Sequence, residues 1–186
     1  MRKPMTVALA LALGCGVAAC QKKAVQATGP EPPRVVASIQ EIMDSEVDPA
    51  ADVIWDSLET ISDANGVVRH EPRTDEDWQK VRHAAVILTE APNLLAMPGR
   101  QVVQAGKELA DADAPGNLPK DEIQKNLDTR HDEFAGFARA LQEVGIEALQ
   151  AIDRKDVAAL DTASGKIDDV CEQCHLQFWY PGVPQG

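Results

Sequence analysis

Eight apolar residues, Ile123, Leu127, Phe134, Phe137, Leu141, Val144, Ala148 and Ile152, follow one another in steps of three, four or seven. On an α-helix such steps return to the same side, so they draw a narrow apolar stripe down one long rod. Pro119, with its preset φ and no N–H to lose, suits the first turn of that rod. The pattern predicts a helix of about 30 residues whose stripe is a buried seam against partner helices.

Three further segments carry the same signature. From about Arg34 to Ile61, Val35, Ile39, Ile42 and Met43 form one stripe, continued by Val53, Ile54, Leu58 and Ile61. Asp48-Pro49 interrupts it, and a kink or restart is expected there because proline removes a backbone donor. A second helix is expected to start near Thr74, with Asp75, Glu76 and Asp77 in its first turn, where negative charge suits the helix dipole. It carries Trp78, Val81, Ala85 and Leu88, with a kink expected at Pro92 and an end at Met97-Pro98-Gly99. A piece from Arg100 to Ala110 could extend it. The last helix is expected from about Asp156 to Phe178, with Leu160, Ala163, Ile167, Cys171, Cys174 and Phe178 on one face and Pro181-Gly182 as its stop. Gly66 and Pro72 mark the longest loop. The chain is rich in Ala, and no segment keeps a period of two. An all-α, antiparallel four-helix bundle follows as the expected fold.

The charge narrows the partners. With 18 Lys and Arg against 30 Asp and Glu, the formal charge is −12. Nucleic acid needs clustered cations, so it is excluded as an expected partner. Docking onto anionic lipid by charge alone is excluded in the same way. No paired acid and base, no nucleophile beside a base and no phosphate loop can be found, so the chain is not expected to be an enzyme.

The first residues read as an address. Arg2 and Lys3 precede an apolar run from Met5 to Ala19, about 15 residues long, which is short for a bilayer span and suited to a signal-peptide core. Val17-Ala18-Ala19-Cys20 resembles the lipobox of bacterial lipoproteins, in which the cysteine is acylated and becomes the first mature residue. Leu13-Gly14-Cys15 is a weaker second site, and an ordinary cleaved signal is the alternative. The expected organisation is residues 1–19 as a signal, 20–33 as a lipid-anchored, Pro-rich tether, and 34–186 as the folded body. The resemblance implies a periplasmic protein held at a membrane only through lipid on Cys20. Gln21, rather than Asp, after that cysteine leans toward the outer membrane. Losing Arg2 and Lys3 with the leader takes the formal charge from −12 to −14.

Of four cysteines, Cys15 leaves with the leader and Cys20 is the lipid site. Only Cys171 and Cys174 remain, within Cys171-Glu172-Gln173-Cys174-His175. C-x-x-C-H is the attachment signature of c-type haem. Residues three apart on a helix are neighbours, so both thiols point the same way and each can add to one porphyrin vinyl group. His175 then offers an imidazole to the iron. A thioredoxin-like pair would want a βαβ context, and a structural zinc site a second ligand pair. Neither is expected here, though a chance match of so short a motif stays open.

This motif near the C-terminus, on the last helix of an exported four-helix bundle, resembles the cytochrome c′ family, the class II c-type cytochromes. The resemblance covers roughly residues 34–181, by motif at its end and by pattern upstream. It implies one covalent haem c held by Cys171 and Cys174, with His175 as axial ligand. Family members often carry a basic residue soon after the motif, where this chain has Gln177, Phe178, Trp179 and Tyr180. The family also implies that a homodimer through helices is open, although no apolar stripe here is clearly surplus to the core.

The sixth iron position separates two branches of that family. In one, a methionine of the first helix completes a six-coordinate iron suited to electron transfer. In the other the position is empty and binds small gases. The segment Ile39-Gln40-Glu41-Ile42-Met43 resembles the place where the first branch carries its methionine ligand, and thioether is a soft ligand that raises the potential. Met97, in a Met-Pro-Gly turn, is the weaker candidate, and a methionine on an apolar stripe is often core filler. His131 borders the seam, while His70 and His83 read as solvated. Trp55 and Trp78 read as core, and Trp179 and Tyr180 either as lining the edge of the haem or as ordinary packing at the helix end. The implied function is a one-electron carrier with His175 and Met43 as axial ligands, whose acidic surface meets a redox protein with a basic docking patch. The alternatives are a five-coordinate haem protein binding NO or CO, and a haem-free helical lipoprotein acting as a binding module.

Overall fold

The computed structural model describes residues 31–64 and 66–182. The leader, Cys20 and most of the tether therefore lie outside the described residues. Helices dominate, as the periodicity predicts.

The first helical rod begins later than expected. Residues 34–37 are not helical and Val35 is exposed. Helix α1 (Ile39–Ile42) starts at Ser38, whose hydroxyl accepts from the Glu41 N–H at 3.2 Å while the Glu41 carboxylate accepts from the Ser38 N–H at 2.8 Å. This reciprocal box satisfies two donors that a helix start leaves open. The rod passes through a π segment (Met43–Val47) into α2 (Asp48–Asp56). Pro49 explains the π turn, because its nitrogen cannot donate to Ser45 four residues earlier. The wider turn absorbs the mismatch, with the Asp48 N–H bonding back to Met43 O. The break expected at Asp48-Pro49 is thus a change of winding just before it.

The rod also ends early. The Ser57 hydroxyl donates to Ile54 O at 2.7 Å and the helix stops at Asp56. Ile61, expected on the buried stripe, lies instead in strand β1 (Thr60–Asp63), which pairs antiparallel with β2 (Gly66–Arg69), Ile61 opposite Val68. Gly66, at φ +129°, takes a backbone conformation that side chains rarely tolerate. The expected loop is therefore a hairpin, built from β-branched residues either side of a turn sequence.

Helix α3 (Asp75–Leu95) opens on a second box, with Asp77 N–H to Thr74 Oγ1 at 3.1 Å and Thr74 N–H to Asp77 Oδ2 at 2.8 Å. It runs through buried Pro92 and ends two residues before Met97. Residues 100–119 add no helix, contrary to the expected extension. They form a long strap that folds back on α1: the Ile39 and Gln40 N–H groups donate to Gln101 O and Val102 O at 2.9 and 3.0 Å. Its own Val102 and Leu109 are buried. Arg100 is buried too, its guanidinium donating to Leu94 O and Ala37 O.

The single helix of about 30 residues predicted from the seam is two helices, α4 (Lys120–Thr129) and α5 (His131–Asp153). Arg130, at φ −125° and ψ 32°, closes one and opens the other. The break falls inside the seven-residue step from Leu127 to Phe134, so both residues stay buried and the seam survives it. Phe137 alone in the seam is only half-buried.

Helix α6 (Val157–Phe178) starts on Asp156, which accepts from the Ala159 N–H at 3.0 Å. Helix α3 packs on α2 and α5, α5 on α6, and α6 on α2. Gly145 permits a close approach of α5 to α3: a Cβ there would lie 3.2 Å from Thr89 Cα. No helix among the described residues is long and apolar enough to cross a membrane.

Candidate functional site

The C-terminal half of α6 needs the regular three-residue offset of an α-helix to put Cys171 and Cys174 on one side. It has that winding from Val157 to Phe178 without interruption. Both thiols are free and half-buried, and both line a cleft between α6, α5 and the π–α2 rod. The cleft holds about 790 Å³ of atom-free space, part of it open to solvent. Its wall is mostly apolar, from Val47, Ala51, Leu95, Phe134, Ala138 and Leu141 among others, with a few polar groups. That balance is usual for cofactor clefts.

Met43 and His175 line the same cleft. The four residues singled out for one site, Met43, Cys171, Cys174 and His175, are therefore brought together from two elements far apart in sequence. Met43 is half-buried in the π segment, and His175 is half-buried one residue after Cys174. A second, smaller cavity adjoins them, lined by Gln40, Asp44, Leu109, Asp111, Trp179 and Tyr180 together with Met43, Asp48 and His175. The strap supplies Leu109 and Asp111, and it is tied there by the Leu118 N–H to Trp179 O at 2.8 Å and the Ala110 N–H to Gln40 Oε1 at 3.1 Å.

The aromatic residues after the motif border this region. The rings of Trp179 and Tyr180 each lie 5.9 Å from the His175 ring. The Tyr180 hydroxyl donates to Glu172 Oε2 at 2.7 Å. Burial, then this carboxylate, push the Tyr180 hydroxyl pKa well up. Phe178 is wholly buried, edge-on to Phe134 at 5.6 Å and to Phe137 at 6.2 Å. The Arg130 guanidinium lies over the Phe178 ring, with Cζ 4.8 Å from its centroid. A basic residue does sit beside this stretch, but it arrives from the α4–α5 break.

Protonation follows burial. Burial pushes the Cys171 thiol up to about 11, helped by Asp48 and Asp168, and the Cys174 thiol up to about 12, helped by Cys171. A thioredoxin-like pair is activated by a lowered thiol pKa, the opposite direction. Burial lowers the His175 pKa, against the opposing pull of Asp48, Glu172 and Asp111. The ring is thereby held neutral, with a nitrogen lone pair free to ligate.

The donor set fits a haem c. Two neighbouring thiols stand beside a neutral imidazole, a thioether shares the cleft, and the walls are apolar. Among the described residues no three His, Cys, Asp or Glu side chains converge to hold a bare metal ion.

The other candidates fall elsewhere. Met97 Sδ accepts from Arg100 Nη2 at 3.5 Å, outside both cavities. His131 lines neither cavity, and its buried Nε2 has no hydrogen-bond partner among the described residues. His70 and His83 are exposed. Trp78 is core, whereas Trp55 lines the cleft while its Nε1–H donates to Ser164 O at 3.4 Å. Sequence reasoning missed Asp48 and the strap. Asp48 carries no motif, and the strap has no periodicity to announce it. No family model, curated protein or solved structure matches this chain significantly.

Proposed function

We propose that this chain is a c-type cytochrome of the cytochrome c′ kind: a haem-bearing antiparallel four-helix bundle over residues 34–186 that carries one electron at a time. The observation that carries the reading is the meeting of Met43 with Cys171, Cys174 and His175 in one apolar cleft. Haem c supplies a one-electron iron couple when bound. Cys171 and Cys174 would hold it by thioether bonds, and His175 and Met43 would ligate its iron through nitrogen and sulfur. Val47, Phe134, Phe137 and Leu141 make the wall beside it apolar. The electron comes from a reduced partner protein and leaves to an oxidised one, with no proton or atom transferred.

The rest of the reading follows the leader. Residues 1–19 direct export, Cys20 takes lipid, and residues 20–33 tether the body in the periplasm. The rim of the two cavities carries Asp44, Asp48, Asp111, Asp168 and Glu172 and, among the described residues, no Lys or Arg. This supports a redox partner with a basic docking patch and an association rate that falls with salt.

The reduced absorption spectrum of the protein, matured in cells that attach haem c, tests the reading. A low-spin spectrum unmoved by carbon monoxide is expected, with Met43→Ala turning it high-spin and responsive to the gas. A high-spin wild-type spectrum that shifts promptly with carbon monoxide would replace the carrier with a gas-binding protein. A colourless mature protein would leave a haem-free helical module.

A further inference from the structure

Five carboxylates border the two cavities, and Asp48 alone lines both. Its place follows from the winding of the rod. The Asp48 N–H bonds to Met43 O across one π turn, so Asp48 and Met43 stay on the same side, facing His175. An unbroken α-helix would offset this pair by five residues at 100° each, pointing the carboxylate away from the methionine. Glu172 is engaged by the Tyr180 hydroxyl, but nothing hydrogen-bonds the Asp48 carboxylate among the described residues. Asp48 is exposed overall, yet its cleft side meets apolar surface, and burial there raises its pKa.

We propose that the Asp48 carboxylate holds down the reduction potential of an iron ligated at His175, and so selects which partners the carrier exchanges electrons with. This rests on the haem reading above. Oxidised iron carries one more positive charge than reduced iron. The Asp48 carboxylate, which lines both cavities together with His175, favours the oxidised form by its negative charge, and the apolar wall on its cleft side limits the screening there. No Lys or Arg lines either cavity, among the described residues, to cancel it. Arg130 is paired with Glu133 at 2.6 Å, and Arg100 is turned to backbone carbonyls. Asp48 thus lowers the potential that a thioether ligand would otherwise raise.

A merely structural role is the rival account, because Asp48 sits in the first turn of α2 and suits its dipole. Asp52 provides the comparison: it is on the same helix, one turn on, exposed, and lines neither cavity.

Equilibrium redox titration of the matured holoprotein decides the matter. Asp48→Asn and Asp48→Ser are expected to raise the midpoint potential, Asp48→Glu to restore most of the wild-type value, and Asp52→Asn to move it clearly less. Optical spectra of all four variants should match wild type, showing that the iron ligands have not changed. Thermal unfolding of the haem-free chain should not separate Asp48→Asn from Asp52→Asn. A wild-type potential in both neutral Asp48 variants, or an equal rise in Asp52→Asn, overturns the proposal and leaves the carrier reading standing. A mature protein that holds no haem overturns both.

Discussion

The Arg130 guanidinium lies 4.8 Å from the centroid of the Phe178 ring, and so joins the break between α4 and α5 to the last residue of α6. Phe178 is wholly buried, and its two other aromatic neighbours, Phe134 and Phe137, line the cleft. Phe178→Ala is expected to cost about 3–5 kcal/mol, as large core aromatics do when a cavity replaces them. Arg130→Ala should cost far less, since it loses an exposed pairing with Glu133 and a cation–π contact of about 0.5–1 kcal/mol. Denaturant unfolding of both variants checks the order. Equal losses would show that the seam does not depend on this ring.

Gly145 faces Thr89 where α5 crosses α3. A Cβ at residue 145 would meet Thr89 Oγ1 at 2.5 Å and Thr89 Cα at 3.2 Å. Gly145→Ala raises helix propensity, but the overpacking should win and destabilise by about 1–3 kcal/mol. Thr89→Ala in the same chain should recover part of that, because it removes the hydroxyl and leaves the backbone contact. Thermal melts of the single and double variants give the comparison. A more stable Gly145→Ala protein would mean that the helices separate without cost.

The thiols of unmatured protein should alkylate slowly at neutral pH. With Cys15 and Cys20 replaced by Ser, the iodoacetamide rate should climb with pH toward about 11 for Cys171 and about 12 for Cys174. Thiolate is the reacting form, and burial withholds it. A rate at neutral pH above that of a free cysteine peptide would instead indicate an activated redox pair.

Acid should loosen the starts of α1 and α3. Hydrogen bonds from the Ser38 backbone and hydroxyl hold the Glu41 pKa below its ordinary 4.5. The Thr74 and Arg73 N–H groups, with the Thr74 hydroxyl, hold Asp77 below 3.8. A pKa lowered in the folded state means stability that is full above the unfolded value and lost as pH falls through the folded one. The melting temperature should therefore drop on acidification below about pH 4.5, and the drop should be shallower in Glu41→Gln and Asp77→Asn. Identical acid profiles in wild type and variants would count against these caps.

Local rules made several features legible in the residues themselves. The three-residue offset of Cys171 and Cys174 needs only helical winding, and the start of α3 at Thr74 and of α6 at Asp156 needs only a side chain able to cap the next turn. The seam from Ile123 to Ile152 specifies which face is buried, and the tertiary structure keeps that face even across Arg130. The hairpin was within reach, since Asn65-Gly66 lies between Thr60-Ile61 and Val67-Val68, but a helical stripe through Ile61 competed for the same residues. What periodicity could not contain was the pairing of elements. The strap laid across α1 and the meeting of Met43 and Asp48 with His175 depend on contacts between segments far apart in the chain. Hydrogen bonds to neighbours decide a helix end, whereas a cleft exists only after packing has chosen which faces meet. The motif and the caps therefore belong to the sequence alone, and the site assembled around the motif belongs to the tertiary structure.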